Sequence, residues 1–184
     1  MARVLVPLFD GFEEIEALTV IDVLRRGGVE VVTASLGKTA EVKAAHGVTV
    51  RADTTLAALG AAEYAAIVMP GGPGTAEMFR SMAFAELLSA HVHAGRLVAA
   101  ICAAPTVLTR LGLVPEDCHV TCYPSCAGEL GRPVAEAPVV EDGPFITGEA
   151  PGAAMLFALV VLKRLKGEET AAKVAQGMVT DVLG

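Results

Sequence analysis

The sequence predicts an α/β fold built on a mainly parallel sheet with helices on both faces, and three observations lead there. First, Arg3–Leu8, Ala66–Met69 and Leu97–Ile101 are short, nearly continuous apolar runs without polar alternation, the pattern of strands covered on both sides. Second, these runs alternate with helical segments along the whole chain, as parallel strands joined by crossovers require. Third, 53% of the 184 residues are hydrophobic and only 19% are charged, enough apolar material for one full core in a single domain over residues 1–184.

Each element follows from local chemistry. Glu13–Arg26 reads as a helix because acids open it and Arg25-Arg26 close it, both complementing the helix dipole, before Gly27-Gly28 stops it. Val29–Leu36 is the second strand. Lys38 to Asp53 reads as a turn and two short strands, expected as a hairpin at the sheet edge. Leu56–Leu59 is a helical turn. Ala66–Met69 ends at Pro70-Gly71-Gly72-Pro73-Gly74, and Phe79 to Ala94 reads as a helix ended by Gly95. Leu97–Ile101 leads into a helix over Ala103–Leu111, with Pro105 in its first turn, where a missing N–H costs nothing. His119–Tyr123 is expected as a further strand, rich in β-formers. Asp142-Gly143 signals a hairpin between Val139–Glu141 and Pro144–Thr147. Two helices, Ala153–Lys166 and Glu168–Met178, close the chain.

A net charge of −7 excludes the basic surface of a nucleic-acid binder and makes an anionic membrane an unsuitable partner. The longest apolar stretch, Ala153 to Leu162, is too short to span a bilayer. The first strand begins at Arg3 without a secretory h-region, so the expectation is a cytoplasmic protein. Cys102, Cys118, Cys122 and Cys126 form no C-x-x-C pair; neither a metal site nor a disulfide framework is expected of them.

Ligands of open parallel sheets bind beyond the carboxyl ends of the strands. Three such ends carry chemistry: Phe9-Asp10-Gly11 with Glu16 just beyond, Pro70-Gly71-Gly72, and Cys102. The run Val98-Ala99-Ala100-Ile101-Cys102-Ala103-Ala104-Pro105 reads strand, sharp turn, helix, the arrangement of a nucleophile elbow. A thiol there faces a helix N-terminus, which favours thiolate; the competing reading is a buried cysteine acting as a small hydrophobe. Glu16 is either a first-turn acid complementing the dipole or a partly desolvated carboxyl that keeps its proton and donates to a neighbouring sulfur. Gly71, Gly72 and the amide of Ala103 are candidate oxyanion donors, or members of an ordinary turn. His91 and His93 read as solvated at a polar helix end, and His119 as structural.

With these residues in place, the chain resembles the ThiJ/PfpI superfamily, in the branch of Parkinson disease protein 7 (protein deglycase) and its bacterial relatives. The resemblance is carried by Gly11-Phe12-Glu13-Glu14-Ile15-Glu16, Asp22-Val23-Leu24-Arg25-Arg26, Val68-Met69-Pro70-Gly71-Gly72, Ala99-Ala100-Ile101-Cys102-Ala103-Ala104-Pro105 and Pro151-Gly152. It implies a flavodoxin-like three-layer sandwich and a homodimer. It also implies a readily oxidised Cys102 nucleophile beside a protonated Glu16, with Gly71, Gly72 and Ala103 binding the oxyanion. The implied activity is cofactor-free conversion of methylglyoxal-type α-oxoaldehydes or their glycated adducts; redox sensing, chaperone action and amidase-like hydrolysis are the implied alternatives. Two positions depart from the pattern. Tyr123 stands where many members place a histidine and is expected to orient substrate, and Glu149 stands where relatives carry Arg or Gln.

Overall fold

The computed structural model describes residues 2–60 and 63–180. Nine strands and six helices follow one another as β1 (Arg3–Leu8), α1 (Glu14–Arg26), β2 (Glu30–Ser35), β3 (Glu41–Lys43), β4 (Thr49–Arg51), β5 (Thr54–Thr55), β6 (Ala66–Met69), α2 (Ala76–Arg80), α3 (Met82–His93), β7 (Leu97–Ile101), α4 (Pro105–Arg110), β8 (Val139–Asp142), β9 (Phe145–Gly148), α5 (Ala154–Lys166) and α6 (Glu168–Gly177). Seven of the strands form one sheet in the order β5-β2-β1-β6-β7-β9-β8, parallel except for the β8–β9 pair. Its centre is as apolar as the runs predicted: every residue of β6 and β7 is buried, as is β1 from Val4 onward. Helices α1, α5 and α6 pack together, as do α2, α3 and α4, and the two groups cover opposite faces of a flavodoxin-like sandwich.

Strand order places the chemistry. From β1 the chain moves outward to β2 and then returns to the other side of β1 as β6. The resulting crevice lies between the carboxyl ends of β1 and β6, where such folds bind ligands. Strand β7 is next in the sheet, so Cys102, one residue beyond it, arrives at the same edge.

Several elements differ from expectation, each for a physical reason. The β3–β4 hairpin is not at the sheet edge but forms its own two-stranded sheet, tied to the first strand's end by the Gly11 N–H to Lys43 carbonyl bond of 2.7 Å. The edge strand on that side of the sheet is β5. The helix expected over Phe79–Ala94 is interrupted at Ser81, whose extended backbone and hydroxyl cap a fresh start at Met82. His119–Tyr123 is not a ladder strand, because β9 already occupies the place beside β7. That segment makes one isolated bridge, Val120 to Val134, and otherwise bonds to side chains and loops. Thr121 N–H donates to Thr147 Oγ1 at 2.9 Å, and His119 N–H to Asp142 Oδ2 at 2.9 Å. The β8–β9 turn is shifted by one residue: Asp142 pairs with Phe145, leaving Gly143-Pro144 as the loop. His91 is buried rather than solvated; its Nε2 lies 2.9 Å from the Leu97 carbonyl, and burial lowers its pKa.

Candidate active site

Three loops meet around the sulfur of Cys102. The first is the entry to α1. Glu13 is the N-cap, with an extended backbone, and its Oε2 accepts from the Glu16 N–H at 2.8 Å. Glu13 and Glu16 thus have the spacing of a capping box, in which the carboxyl at the third helical position normally turns back to the cap N–H. Here that box is opened and Gly71 is inserted into it. The Glu13 N–H donates to the Gly71 carbonyl at 2.9 Å, and the Gly71 N–H donates to Glu16 Oε2 at 2.7 Å. Glu16 is fully buried, and its Oε1 has no hydrogen-bond partner among the described residues. The thiol of Cys102 lies near enough to that carboxyl for each group to shift the other's titration.

The second loop is Pro70–Gly74. Gly71 admits no side chain: a Cβ there would lie 2.8 Å from both the Ala103 nitrogen and the Cys102 Cβ. Gly72 has φ of +114° and would drive a Cβ to 2.4 Å from the Gly11 carbonyl oxygen. These glycines let the ends of β1 and β6 press against each other and against the elbow.

The third loop is the elbow itself. Cys102 has φ of 64°, a left-handed conformation rare for a residue with a side chain and costing on the order of 1 kcal/mol. Two backbone bonds hold it there, from Cys102 N–H to the Gly148 carbonyl at 2.9 Å and from Tyr123 N–H to the Cys102 carbonyl at 2.8 Å. Cys102 as a whole is only 7% exposed, a buried residue.

The electrostatics differ from the sequence expectation. Helix α4 begins only at Pro105 and has six residues, so it offers the sulfur little dipole. Burial pushes the thiol well above its ordinary range, as do the charge and the hydrogen-bond acceptance of an ionised Glu16; the N–H groups of Ala103 and Gly72 pull the other way. Burial likewise raises Glu16 to about 7, against the opposing bonds from Gly71 and Cys102, with the Glu13 charge adding to the rise. Two anions this close in a dry site repel strongly, so ionising one group disfavours ionising the other, and the carboxyl, raised to about 7, is the one that titrates near neutrality. When the proton sits on Glu16, the carboxyl stops repelling the sulfur and becomes a donor to it.

The sequence candidates are therefore brought together with one change of role. Cys102, Glu16, Gly71, Gly72 and Ala103 converge, but the Gly71 N–H is committed to Glu16 and is not free for an oxyanion. Gly72 and Ala103 remain as the donors facing the sulfur. Tyr123 is 41% exposed and joins the site through its backbone N–H. Glu149 is half-buried and directly follows Gly148, the residue whose carbonyl holds the Cys102 N–H. His119 is exposed, with Nδ1 3.0 Å from Asp142 Oδ2, and no histidine is among the groups that shift the thiol.

Sequence reading passed over Glu13 as a cap and His46 altogether; the E-x-x-E spacing carried a signal for the first, while nothing local marked the second. Glu13, Glu14 and His46 bring donor atoms within 4.8 Å of one another, a separation a metal ion could use. Their atoms are already engaged: Glu14 accepts from the His46 N–H at 2.9 Å and meets its Nδ1 at 3.0 Å, and Glu13 caps Glu16. We assign this cluster no ion.

A family model described as DJ-1/PfpI matches residues 2–164. Protein dj-1beta of Drosophila melanogaster is 39% identical over 178 residues, covering 95% of each chain. The glutathione-independent glyoxalase DJR-1.2 of Caenorhabditis elegans is 37% identical over 171 residues, covering 91% of this chain and 90% of its own. The structure of oxidized Toxoplasma gondii DJ-1 superposes with a TM-score of 0.93 at 36% identity, over 98% of this chain and 99% of that one.

The raised pKa of Glu16 has a thermodynamic consequence. An acid raised from 4.5 to about 7 keeps a proton in the folded state that the unfolded chain has lost. Its contribution to stability is complete below pH 4.5, falls as pH rises through that window, and levels off above about 7, a change of up to ~3 kcal/mol. Glu16→Gln has no proton to lose there. Urea unfolding at pH 5 and 7.5 is expected to show the wild type losing stability relative to Glu16→Gln; equal changes in the two proteins would remove the assignment.

Proposed function

The chain belongs to the DJ-1/PfpI family, and from that premise we propose that it is a cysteine-dependent, cofactor-free enzyme acting on methylglyoxal-type α-oxoaldehydes or their adducts. The observation that carries this reading is the buried Glu16 carboxyl, with one oxygen held by Gly71 and the other left for the sulfur of Cys102. The glyoxalase named among the relatives supports the substrate class.

In this reading the Cys102 thiolate adds to the aldehyde carbon, forming a C–S bond, and Glu16 gives its proton to the new alkoxide, which the Gly72 and Ala103 N–H groups face. The resulting Glu16 carboxylate removes the hydrogen from that carbon as a proton, and a proton is returned to the neighbouring carbon. The product is a hydroxyacyl thioester. Water adds to it, the C–S bond breaks, and a 2-hydroxy acid leaves with the thiolate regenerated. The balance is one oxoaldehyde plus one water to one hydroxy acid, with no external oxidant or reductant. A peptidase-like mechanism is disfavoured, since it requires a base paired with the thiol, and His119, the first histidine after Cys102 in the chain, is exposed and paired with Asp142.

A second reading, redox sensing, is supported by two observations: the elbow thiol has a buried carboxyl nearby that could bond an oxidised sulfur, and the Toxoplasma relative was solved in an oxidized form. The two readings are compatible. For self-association, Ile15 and Leu18 are exposed one turn apart on α1, and the hairpin tip carrying exposed Val48 is tied beside them by the His46–Glu14 bonds. We take this apolar patch as the interface of a homodimer. Among the described residues no helix is long and apolar enough to cross a membrane.

Lactate formation from methylglyoxal is expected from the wild type and is expected to fall to the uncatalysed background in Cys102→Ala; equal rates would end the enzymatic reading. After mild peroxide, peptide mass spectrometry is expected to find added oxygen at Cys102 before Cys118, Cys122 or Cys126, and the reverse order would end the redox reading. Sedimentation is expected to give twice the chain mass for the wild type and a smaller average mass for Leu18→Glu; a wild-type monomer would remove the dimer.

A further inference from the structure

The proposed chemistry uses Glu16 and Cys102 but gives no task to Glu13, which is 6% exposed, carries a carboxyl group and touches both halves of the site. Its Oε2 accepts the backbone N–H of Glu16 at 2.8 Å, and its own N–H donates to the Gly71 carbonyl at 2.9 Å. Gly71 in turn donates to Glu16 Oε2 at 2.7 Å. The three residues form a closed ring of hydrogen bonds, and Glu13 closes it. It also brings a negative charge to within interaction range of the Glu16 carboxyl. Among the described residues no Lys or Arg forms an ion pair with Glu13; the basic group facing it is His46, whose Nδ1 is 3.9 Å from Glu13 Oε1 and is held at 3.0 Å by Glu14.

We propose that Glu13 is the positioning residue of this site: its cap fixes where the Glu16 carboxyl points, and its charge keeps the shared proton on Glu16, leaving the negative charge on sulfur. The inference rests on the reading of Cys102 and Glu16 as a proton-sharing pair. The reasoning is electrostatic. One negative charge must reside on either the carboxyl or the sulfur. A fixed anion nearer the carboxyl disfavours charge there and shifts it to the sulfur, where the Ala103 and Gly72 N–H groups receive it. The titratable groups facing Glu16 are Glu13 from the same helix entry and Cys102 from the elbow; Gly71 contributes an N–H. Those facing Glu13 are Glu16 and His46, with Glu14 reaching it through His46.

The test follows iodoacetamide alkylation of Cys102 by peptide mass spectrometry from pH 5 to 9, in the wild type, Glu13→Gln and Glu13→Asp. Gln keeps an oxygen acceptor for the cap and removes the charge. Its neutral-pH rate at Cys102 is expected to fall roughly threefold to tenfold, the effect of half to one pKa unit, with the midpoint of the profile moved to lower pH. Asp keeps the charge and is expected to hold the parental midpoint, even where its shorter reach weakens the cap and lowers Tm. A Glu13→Gln profile superimposed on the wild type, or an Asp midpoint displaced as far as that of Gln, would overturn the role of Glu13. A wild-type thiol no faster at neutral pH than free cysteine would instead overturn the shared proton itself, which separates the two failures.

Discussion

The peptide of Gly71 is the constraint on which the site depends. It offers its carbonyl to the Glu13 N–H and its N–H to the Glu16 carboxyl, so the return half of a would-be capping box runs through a residue 55 positions beyond Glu16, while Glu13 still caps the Glu16 N–H directly. This joins the start of α1 to the end of β6. A buried carboxyl that lost that N–H would be left with an unpaired oxygen at a cost of about 1–3 kcal/mol, more for a charged group. The same contact requires a glycine, because any Cβ at position 71 would run into the backbone of the elbow.

Strain and support are balanced at the elbow in a similar way. Cys102 is forced into a left-handed conformation and kept there from two sides, by β9 through Gly148 and by the segment after α4 through Tyr123. The failure of residues 119–123 to join the sheet is part of this arrangement. A segment spent on a ladder would not have had its Tyr123 N–H available for the elbow carbonyl. The aromatic side chain of Tyr123 is left 41% exposed.

The source of sulfur activation changes accordingly. A long helix would supply a macrodipole, but α4 has only six residues and starts three positions past the cysteine. In the proposed reading what favours thiolate is local, the backbone N–H groups of Ala103 and Gly72, which pull against the burial and the Glu16 charge that raise the thiol. Activation by a protonated neighbour has a built-in limit. Once Glu16 ionises, the same carboxyl that donated to the sulfur repels it, so a reactive thiolate and an ionised Glu16 exclude each other.

The primary structure by itself determined the layered α/β architecture, since unbroken apolar runs at β1, β6 and β7 leave no exposed face and demand cover on both sides. It also placed Cys102, Glu16, Gly71, Gly72 and Ala103 at strand ends that parallel pairing must bring to one edge. Those inferences rest on local periodicity, which is carried by neighbouring residues. Tertiary structure alone decided what depends on partners distant in the chain: that Gly71 serves the acid and not the oxyanion, that Glu13 caps rather than begins α1, that His46 meets Glu14, and that His91 is buried. Each of these is a competition between hydrogen-bond partners or a matter of desolvation, settled only when the sheet order fixes which loops touch.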